Sequence, residues 1–352
     1  MLEPSTDCAW PLAGYDERGR QGMRIGLVGV GRIGAFHAAT LKGLPAVDQV
    51  VVADADPSRA EVVAKDLGVE FAPDVPALLA SGLDGFVIAA ATSAHAELIA
   101  AGIAVGIPTF CEKPVALDLA ETQRVVELVE ASDVPVHIGF QRRFDAGYQA
   151  ARAKVESGEL GFIHHIRANT NDAFPPHREY IPQSGGFFRD CTVHDFDIIR
   201  YVTGREVVSV YATGANRGEA FFGEYGDVDA AAALLTLDDS TFVAVSGTRY
   251  NGAGHDVRME LLGSLGSVAV GLDEHTALRS AEPGVTFPDG KPHLTFMDRF
   301  QPAYVAELTA FTEVAAGTRE VPCTVRDALA AFRIADACEQ SRHENRVVTL
   351  KP

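Results

Sequence analysis

Three residue types in this chain, at particular spacings, have the means to move a proton to or from a hydroxyl. Lys113 closes the short apolar run Phe110-Cys111-Glu112-Lys113-Pro114. A lysine at the end of a buried strand is poorly solvated. Its pKa falls, or it stays a fixed cation that donates to a substrate oxygen. Further on, Asp190, His194 and Asp197 stand at i, i+4 and i+7 within Asp190-Cys191-Thr192-Val193-His194-Asp195-Phe196-Asp197. On an α-helix that spacing puts all three on one stripe, with Val193, Phe196 and Ile199 on another face. A histidine flanked one turn each way by carboxylates has its tautomer fixed and its basicity raised. It can then accept the proton of a hydroxyl as a general base. The alternative is a surface stripe that serves only to satisfy a loop. No metal is expected, because neither an HxxxH pair nor added cysteines accompany these residues.

A proton acceptor beside a hydroxyl is useful only if something takes the hydride. Gly29-Val30-Gly31-Arg32-Ile33-Gly34 follows an apolar strand and opens an amphipathic stretch, the context in which G-x-G-x-x-G binds a dinucleotide. Gly29 permits the tight turn, Gly31 lets backbone amides approach a pyrophosphate, and Gly34 allows close helix–strand packing. Arg32 and Ile33 lie in the same loop, where the helix start adds partial positive charge. Asp54 ends the next strand, where a carboxylate holds both ribose hydroxyls of the adenosine. A carboxylate ~4 Å from a 2′-phosphate repels it by about 4 kcal/mol per unit charge at intermediate dielectric. NAD is therefore expected over NADP, with Arg59 able only to soften the preference. Asp56 is the alternative ribose ligand but is better placed to cap the following helix. Thr92-Ser93-Ala94-His95 follows another apolar strand, at the carboxyl edge where such sheets bind ligands, which makes Thr92 and His95 cofactor candidates beside Glu112 and Lys113. Ser93 can equally cap the helix that follows.

The elements that must position these groups fall into two kinds. From Met23 to about Phe140, short apolar runs alternate with amphipathic ones: strands at 24–30, 50–54, 85–90, 108–111 and 135–140, helices at 33–43, 57–67, 94–105 and 117–131. Continuous apolar strands alternating with helices indicate a doubly wound parallel sheet of Rossmann type. The second half holds helices at 146–157 and 187–202, β-rich runs at 162–169, 207–213, 228–237, 241–250, 257–263 and 267–271, late helices at 303–316 and 325–343, and a terminal strand at 346–350. This is an α/β domain with an open, mainly antiparallel sheet whose uncovered face suits an oligomer interface. The expected domains are a loose extension over 1–22, a dinucleotide domain over 23–142, and a substrate and oligomerisation domain over 143–352.

Composition sets the outer bounds. A chain of 352 residues exceeds one comfortable core, and 47% hydrophobic with 22% charged residues is ordinary for a globular protein. A formal charge of −18 excludes a nucleic-acid surface, which needs clustered Lys and Arg. The five cysteines are scattered without a CxxC pair, so they read as buried thiols of a reducing, cytoplasmic protein. No apolar run approaches the ~20 residues that span a bilayer, so no membrane contact is expected.

Taken together, the glycine fingerprint, Glu112-Lys113-Pro114 and the Asp190…His194 pair resemble the glucose–fructose oxidoreductase, inositol dehydrogenase and rhizopine-catabolism (Gfo/Idh/MocA) family, from Met23 onward. Gly139-Phe140-Gln141-Arg142-Arg143-Phe144-Asp145 and Gly185-Gly186-Phe187-Phe188-Arg189-Asp190 resemble its inositol 2-dehydrogenase members. The resemblance implies NAD-linked oxidation of a ring hydroxyl on a cyclitol or sugar, myo-inositol or another inositol first, by a chain often assembled as a tetramer. It implies that Lys113 is the catalytic lysine, that Asp190 and His194 are the acid–base pair, and that Arg142 and Asp197 contact polyol hydroxyls. Gln141 stands where inositol dehydrogenases commonly have methionine, and Asn171-Asp172 replaces an Arg-Asp pair; both belong to the expected substrate wall. Three other functions share the pattern. One is dehydrogenation at C1 or C3 of a pyranose. Another is NAD-assisted glycoside cleavage without net NADH. The third, a cofactor sensor without turnover, would be expected to lack Lys113 or His194.

Overall fold

The computed structural model describes residues 22–351, so the extension expected over 1–22 lies, but for Gly22, outside the described residues. The first sheet comprises β1 (Met23–Val28), β2 (Val47–Ala53), β3 (Glu70–Phe71), β4 (Gly85–Ile88), β5 (Thr109–Glu112) and β6 (Val136–Gly139). Its order is β3-β2-β1-β4-β5-β6 and every pair is parallel, the Rossmann arrangement. Helices α1 (Arg32–Gly43), α2 (Pro57–Leu67), α3 (Val75–Leu79), α4 (His95–Ala104) and α5 (Leu119–Glu130) connect the strands. β4 and β6 are buried along their whole length, and β4 accordingly reads as an unbroken apolar run while β6 carries one polar residue, His137. β3 and α3 were not expected from the sequence. At two and five residues they are too short to carry a period.

The second sheet holds β7 (Ile163–Asn171), β8 (Val207–Ala215), β9 (Ala230–Leu237), β10 (Phe242–Thr248), β11 (Asp256–Gly263), β12 (Ser267–Val270) and β13 (Val348–Thr349). It runs β12-β11-β7-β10-β9-β8-β13, antiparallel throughout except for the parallel β7–β10 pair. Along β9 and β10 burial alternates: Ala231, Ala233, Leu235, Val243 and Val245 face the core, while Leu234 and Phe242 keep more than half their surface exposed. Helices α6 (Ala146–Glu156), α7 (Ile181–Ser184), α8 (Val193–Thr203), α9 (Phe221–Glu224), α10 (Phe296–Ala315) and α11 (Val325–Glu344) complete the chain. No described helix is long and apolar enough to cross a membrane.

Two helices differ from expectation in ways that matter for the site. The helix expected over 187–202 is a π turn, Phe188–Thr192, running into α8. Helix α10 starts at Phe296 rather than after Pro302, because Thr295 and Asp298 form a capping box that nucleates it upstream; Pro302 lies inside it. The extra turns carry Phe296 under Arg32 and Phe300 under Arg142, while the later turns reach the Rossmann sheet. There Phe311 packs on Phe110 of β5 with ring centroids 5.7 Å apart.

Candidate active site

The fingerprint loop is built as its glycines require. Gly29 has φ +89°, and a Cβ there would lie 2.4 Å from the Ala90 backbone; at Gly34 it would lie 1.8 Å from the Gly29 carbonyl oxygen. Gly31 instead faces open space, caps α1 without a side-chain hydrogen bond, and is followed by a first turn without acidic residues. The amides of that turn are thus free for an anionic ligand, and the residues fit a dinucleotide pyrophosphate. Arg32 turns aside to lie 5.1 Å over the Phe296 ring, and Ile33 is half-buried beside it.

Asp54 is fixed by the same loop. One carboxylate oxygen accepts from the Val30 amide at 2.8 Å, the other from the Asp56 amide at 3.0 Å, and the Arg59 guanidinium stands at 3.5 Å. A carboxylate has about four acceptor positions, so the two amides leave room for a ribose hydroxyl even with Arg59 in place. Asp56 caps α2 through the Ser58 amide. At the end of β4, Thr92 is half-buried at the carboxyl edge, and Ser93 caps nothing. His95 corrects the sequence expectation of a cofactor ligand. It is 1% exposed, and its ring nitrogens meet the carbonyls of Pro114 at 2.7 Å and Ala90 at 3.0 Å. Both polar atoms are spent on backbone, so His95 ties the β4 end to the turn after Lys113.

Lys113 projects from the end of β5, through a cis Lys113–Pro114 peptide, toward the second sheet's helices. Its ammonium donates to the Asp190 carbonyl at 3.1 Å and lies 3.6 Å from the Asp190 carboxylate. That carboxylate also accepts from Arg249 at 2.7 Å and from the Tyr180 hydroxyl at 2.8 Å. Burial alone would raise the Asp190 pKa, but Arg249, Lys113 and Tyr180 outweigh it and hold the group below the usual carboxylate range. Arg249 reaches Asp172 as well, at 3.2 Å, and the other Asp172 oxygen lies 3.4 Å from Nδ1 of His255. Burial would raise Asp172 too, and His255 and Arg249 bring it down instead.

His194 follows on the first turn of α8, edge-on to Phe140 at 5.7 Å. Its Nδ1 is buried without a partner, so Nε2 is the nitrogen that meets the cleft. The expected carboxylate flanks are absent. The π turn carries Asp190 off the α8 stripe, and Asp197 is turned into the core. His194 is therefore not made more basic. Burial, and then the positive charges of Lys113 and Arg142, hold its pKa well below that of an ordinary histidine. A neutral imidazole results, ready to accept a proton.

Two expected substrate contacts are structural instead. Asp197 is 0% exposed and paired with Arg143 through bonds of 2.9 and 2.6 Å. Arg142 is 3% exposed and bonds Asp195 at 2.7 Å and Thr170 at 2.9 Å. Buried ions survive by pairing, and each of these two spends its charge on a buried partner. Gln141 is 3% exposed but keeps its amide free of protein partners, and Glu112 bonds His37 at 2.7 Å. Sequence reasoning missed Arg249, Tyr180 and His255. Arg249 meets Asp172 because β7 and β10 are parallel, with Asn171 opposite Thr248. No local signal announces that pairing. Among the described residues, no group of three or more His, Cys, Asp or Glu side chains is placed to hold a metal ion.

The chain is similar to known proteins over both of its sheets. Residues 23–140 match the model of an oxidoreductase family with an NAD-binding Rossmann fold, and residues 148–269 match the GFO/IDH/MocA C-terminal domain. The myo-inositol dehydrogenase Hyg17 of Streptomyces leeuwenhoekii is 39% identical over 91% of this chain and 97% of its own length. The crystal structure of a putative myo-inositol dehydrogenase from Sinorhizobium meliloti superposes with a TM-score of 0.85 at 34% identity, covering 94% of this chain and 100% of that one. A scyllo-inositol dehydrogenase from Lactobacillus casei, solved with bound NAD(H) and scyllo-inositol, superposes at 0.83 with 27% identity, covering 93% and 99%. With both halves matched and relatives aligned nearly end to end, the chain belongs to the Gfo/Idh/MocA family of NAD-binding oxidoreductases.

Proposed function

We propose that the protein catalyses NAD-linked oxidation of a ring hydroxyl on a neutral cyclitol, an inositol in the first place. The reading rests above all on the Lys113 ammonium, which meets Asp190 across the cleft with His194 beside it. In this mechanism Nε2 of His194 accepts the hydroxyl proton, and Lys113 donates to the same oxygen as negative charge builds on it. Asp190, clamped by Arg249 and Tyr180, orients the ammonium. The bound cofactor supplies the hydride acceptor. Such positioned acid–base groups contribute roughly 10² to 10⁴ in rate.

Charge supports a neutral substrate. The cations Lys113 and Arg249 are matched by the anions Asp190 and Asp172, so the site has no surplus positive charge for a carboxylated sugar. Asp172, Gln141 and His255 offer the polar contacts that select among neutral polyols, since a buried polar group left unpaired by the wrong isomer is costly. Asp54 favours NAD over NADP by the repulsion of a 2′-phosphate. The same reading includes a homotetramer assembled through the open face of the second sheet, where Tyr211, Leu234, Phe242 and Val347 line one exposed groove.

The test is NADH production across a panel of inositols, aldoses and glycosides, with NAD and NADP in parallel. Turnover of at least one inositol with NAD preferred is expected. Turnover confined to aldoses or glycosides would move the assignment to a sugar dehydrogenase. Glycoside cleavage without accumulated NADH would move it to a hydrolytic mechanism.

A further inference from the structure

Behind Lys113 lies a second group of titratable residues that the mechanism leaves unused. Helix α10 presents Tyr304, Glu307 and Phe311 to the Rossmann sheet at i, i+3 and i+7. Tyr304 packs edge-on against His37 of α1 at 5.5 Å, and Phe311 packs against Phe110 of β5 and His137 of β6 at 5.7 and 6.4 Å. Glu307 stands on the helix between these contacts and is 0% exposed. Across from it, Phe110 and Glu112 share one face of β5 and pair with His137 and Gly139 of β6. Gly139 is what makes room there. A Cβ at that position would lie 2.9 Å from the Phe110 ring and 3.3 Å from the Glu112 carboxyl carbon.

The polar groups of this cluster satisfy one another only in part. His37 gives Nε2 to Glu112 at 2.7 Å, but its Nδ1 has no partner. Both ring nitrogens of His137 and both carboxyl oxygens of Glu307 are likewise buried and unpartnered. Orphaned buried polar atoms are costly, and ordered water is what native proteins use to satisfy them. Their chemistry is complementary. Burial, reinforced by the carboxylates of Glu112 and Asp197, holds Glu307 well above the carboxylate range, so it carries a donor hydroxyl. Burial also pushes His137 down to about 3, leaving a neutral ring with one acceptor nitrogen. A His37 that donates through Nε2 presents an acceptor at Nδ1.

We propose that His37 and Glu307 are positioning residues for the reaction: with Glu112 they enclose a water-bridged chamber that fixes the Glu112 carboxylate, and through it the lysine that follows. The proposal rests on the dehydrogenase reading for its kinetic consequence but not for the chamber itself. Glu112 is tied to α1, the cofactor helix, by the same bond that orients the residue before Lys113. One network thus sets cofactor and ammonium relative to each other.

The experiment compares Glu307→Gln with Glu307→Leu in the full chain. Glu307→Leu is expected to lower kcat by about 10- to 100-fold, the range seen when a supporting residue behind a reacting group is lost, with both KM values within about twofold. Glu307→Gln, neutral and still hydrogen-bonding, is expected to restore most of the loss. Wild-type kcat in Glu307→Leu, an equal loss in both variants, or a loss confined to KM would overturn the positioning role. Infrared spectroscopy gives a readout independent of turnover: the wild type is expected to show a protonated-carboxyl band at neutral pH that Glu307→Gln lacks. If that band is missing, the chamber as described is wrong. If it is present in a protein that oxidises no polyol, the chamber stands and the dehydrogenase reading falls.

Discussion

Asp190 and His194 stand four residues apart in sequence and in different environments. The Asp190 carboxylate accepts from Tyr180 and Arg249, with the Lys113 ammonium 3.6 Å away, and its pKa is held down. Such a carboxylate orients cations and is a poor proton acceptor. His194 is buried near the same Lys113 but lacks such hydrogen-bonding partners. Burial and the nearby Lys113 and Arg142 charges keep it neutral, with Nε2 toward the cleft. The sign of that shift gives a pH prediction. An ordinary histidine base loses activity below about 6.5. Here the imidazole protonates only at lower pH, so kcat/KM is expected to stay level through that point and fall further on the acid side. A pH–rate profile whose acid limb sits at or above about 6.5 would exclude His194 as the base. Lys113→Ala is expected to cut turnover by roughly 10²- to 10⁴-fold, and full turnover on the true substrate would remove the lysine from the mechanism.

At the scale of elements, the turn after β6 is latched to α8 by adjacent arginines, each holding its own aspartate: Arg142 with Asp195 and Arg143 with Asp197. Removing one partner of a buried pair typically costs about 3–5 kcal/mol, so Asp197→Asn is expected to lose stability on that scale while its folded fraction keeps wild-type KM. Asp172→Asn, at the rim of the cleft, is expected to do the reverse, raising KM for the polyol with a smaller change in the urea midpoint. Interchanged outcomes would return Asp197 to the substrate wall. The contrast marks what the sequence could disclose. The strand-end placement of the fingerprint, Asp54 and Lys113 was legible because each is defined by its own few neighbours and the end of one strand. The stripe of Asp190, His194 and Asp197 was misread because α-helical spacing was assumed where the chain makes a π turn. Arg249 was invisible because its partner Asp172 arrives through a parallel pairing between strands 77 residues apart. His95 looked like a ligand because of its strand-end position, and only the two carbonyls facing it reveal a staple.

At the scale of the whole molecule, two facts oppose each other. A formal charge of −18 makes copies of this chain repel, yet the second sheet exposes an apolar face. Leu234 is 62% exposed and Phe242 63%, on strands whose opposite faces are packed, and Val347, just before β13, is 56% exposed. Burying such residues releases about 25 cal/mol per Å² of apolar surface, while repulsion between surface charges is screened over about 10 Å at 0.1 M salt. Association through this face should therefore strengthen, not weaken, as salt is added. The wild type is expected to sediment as a tetramer, and the Leu234→Asp/Phe242→Asp double variant as a smaller species with unchanged circular dichroism. A carboxylate at each position would have to be desolvated without a cation opposite it, which neither screening nor side-chain rearrangement can offset. A wild type that stays monomeric at micromolar concentration, or a double variant that still forms tetramers, would show that the open sheet is not where copies of this chain meet.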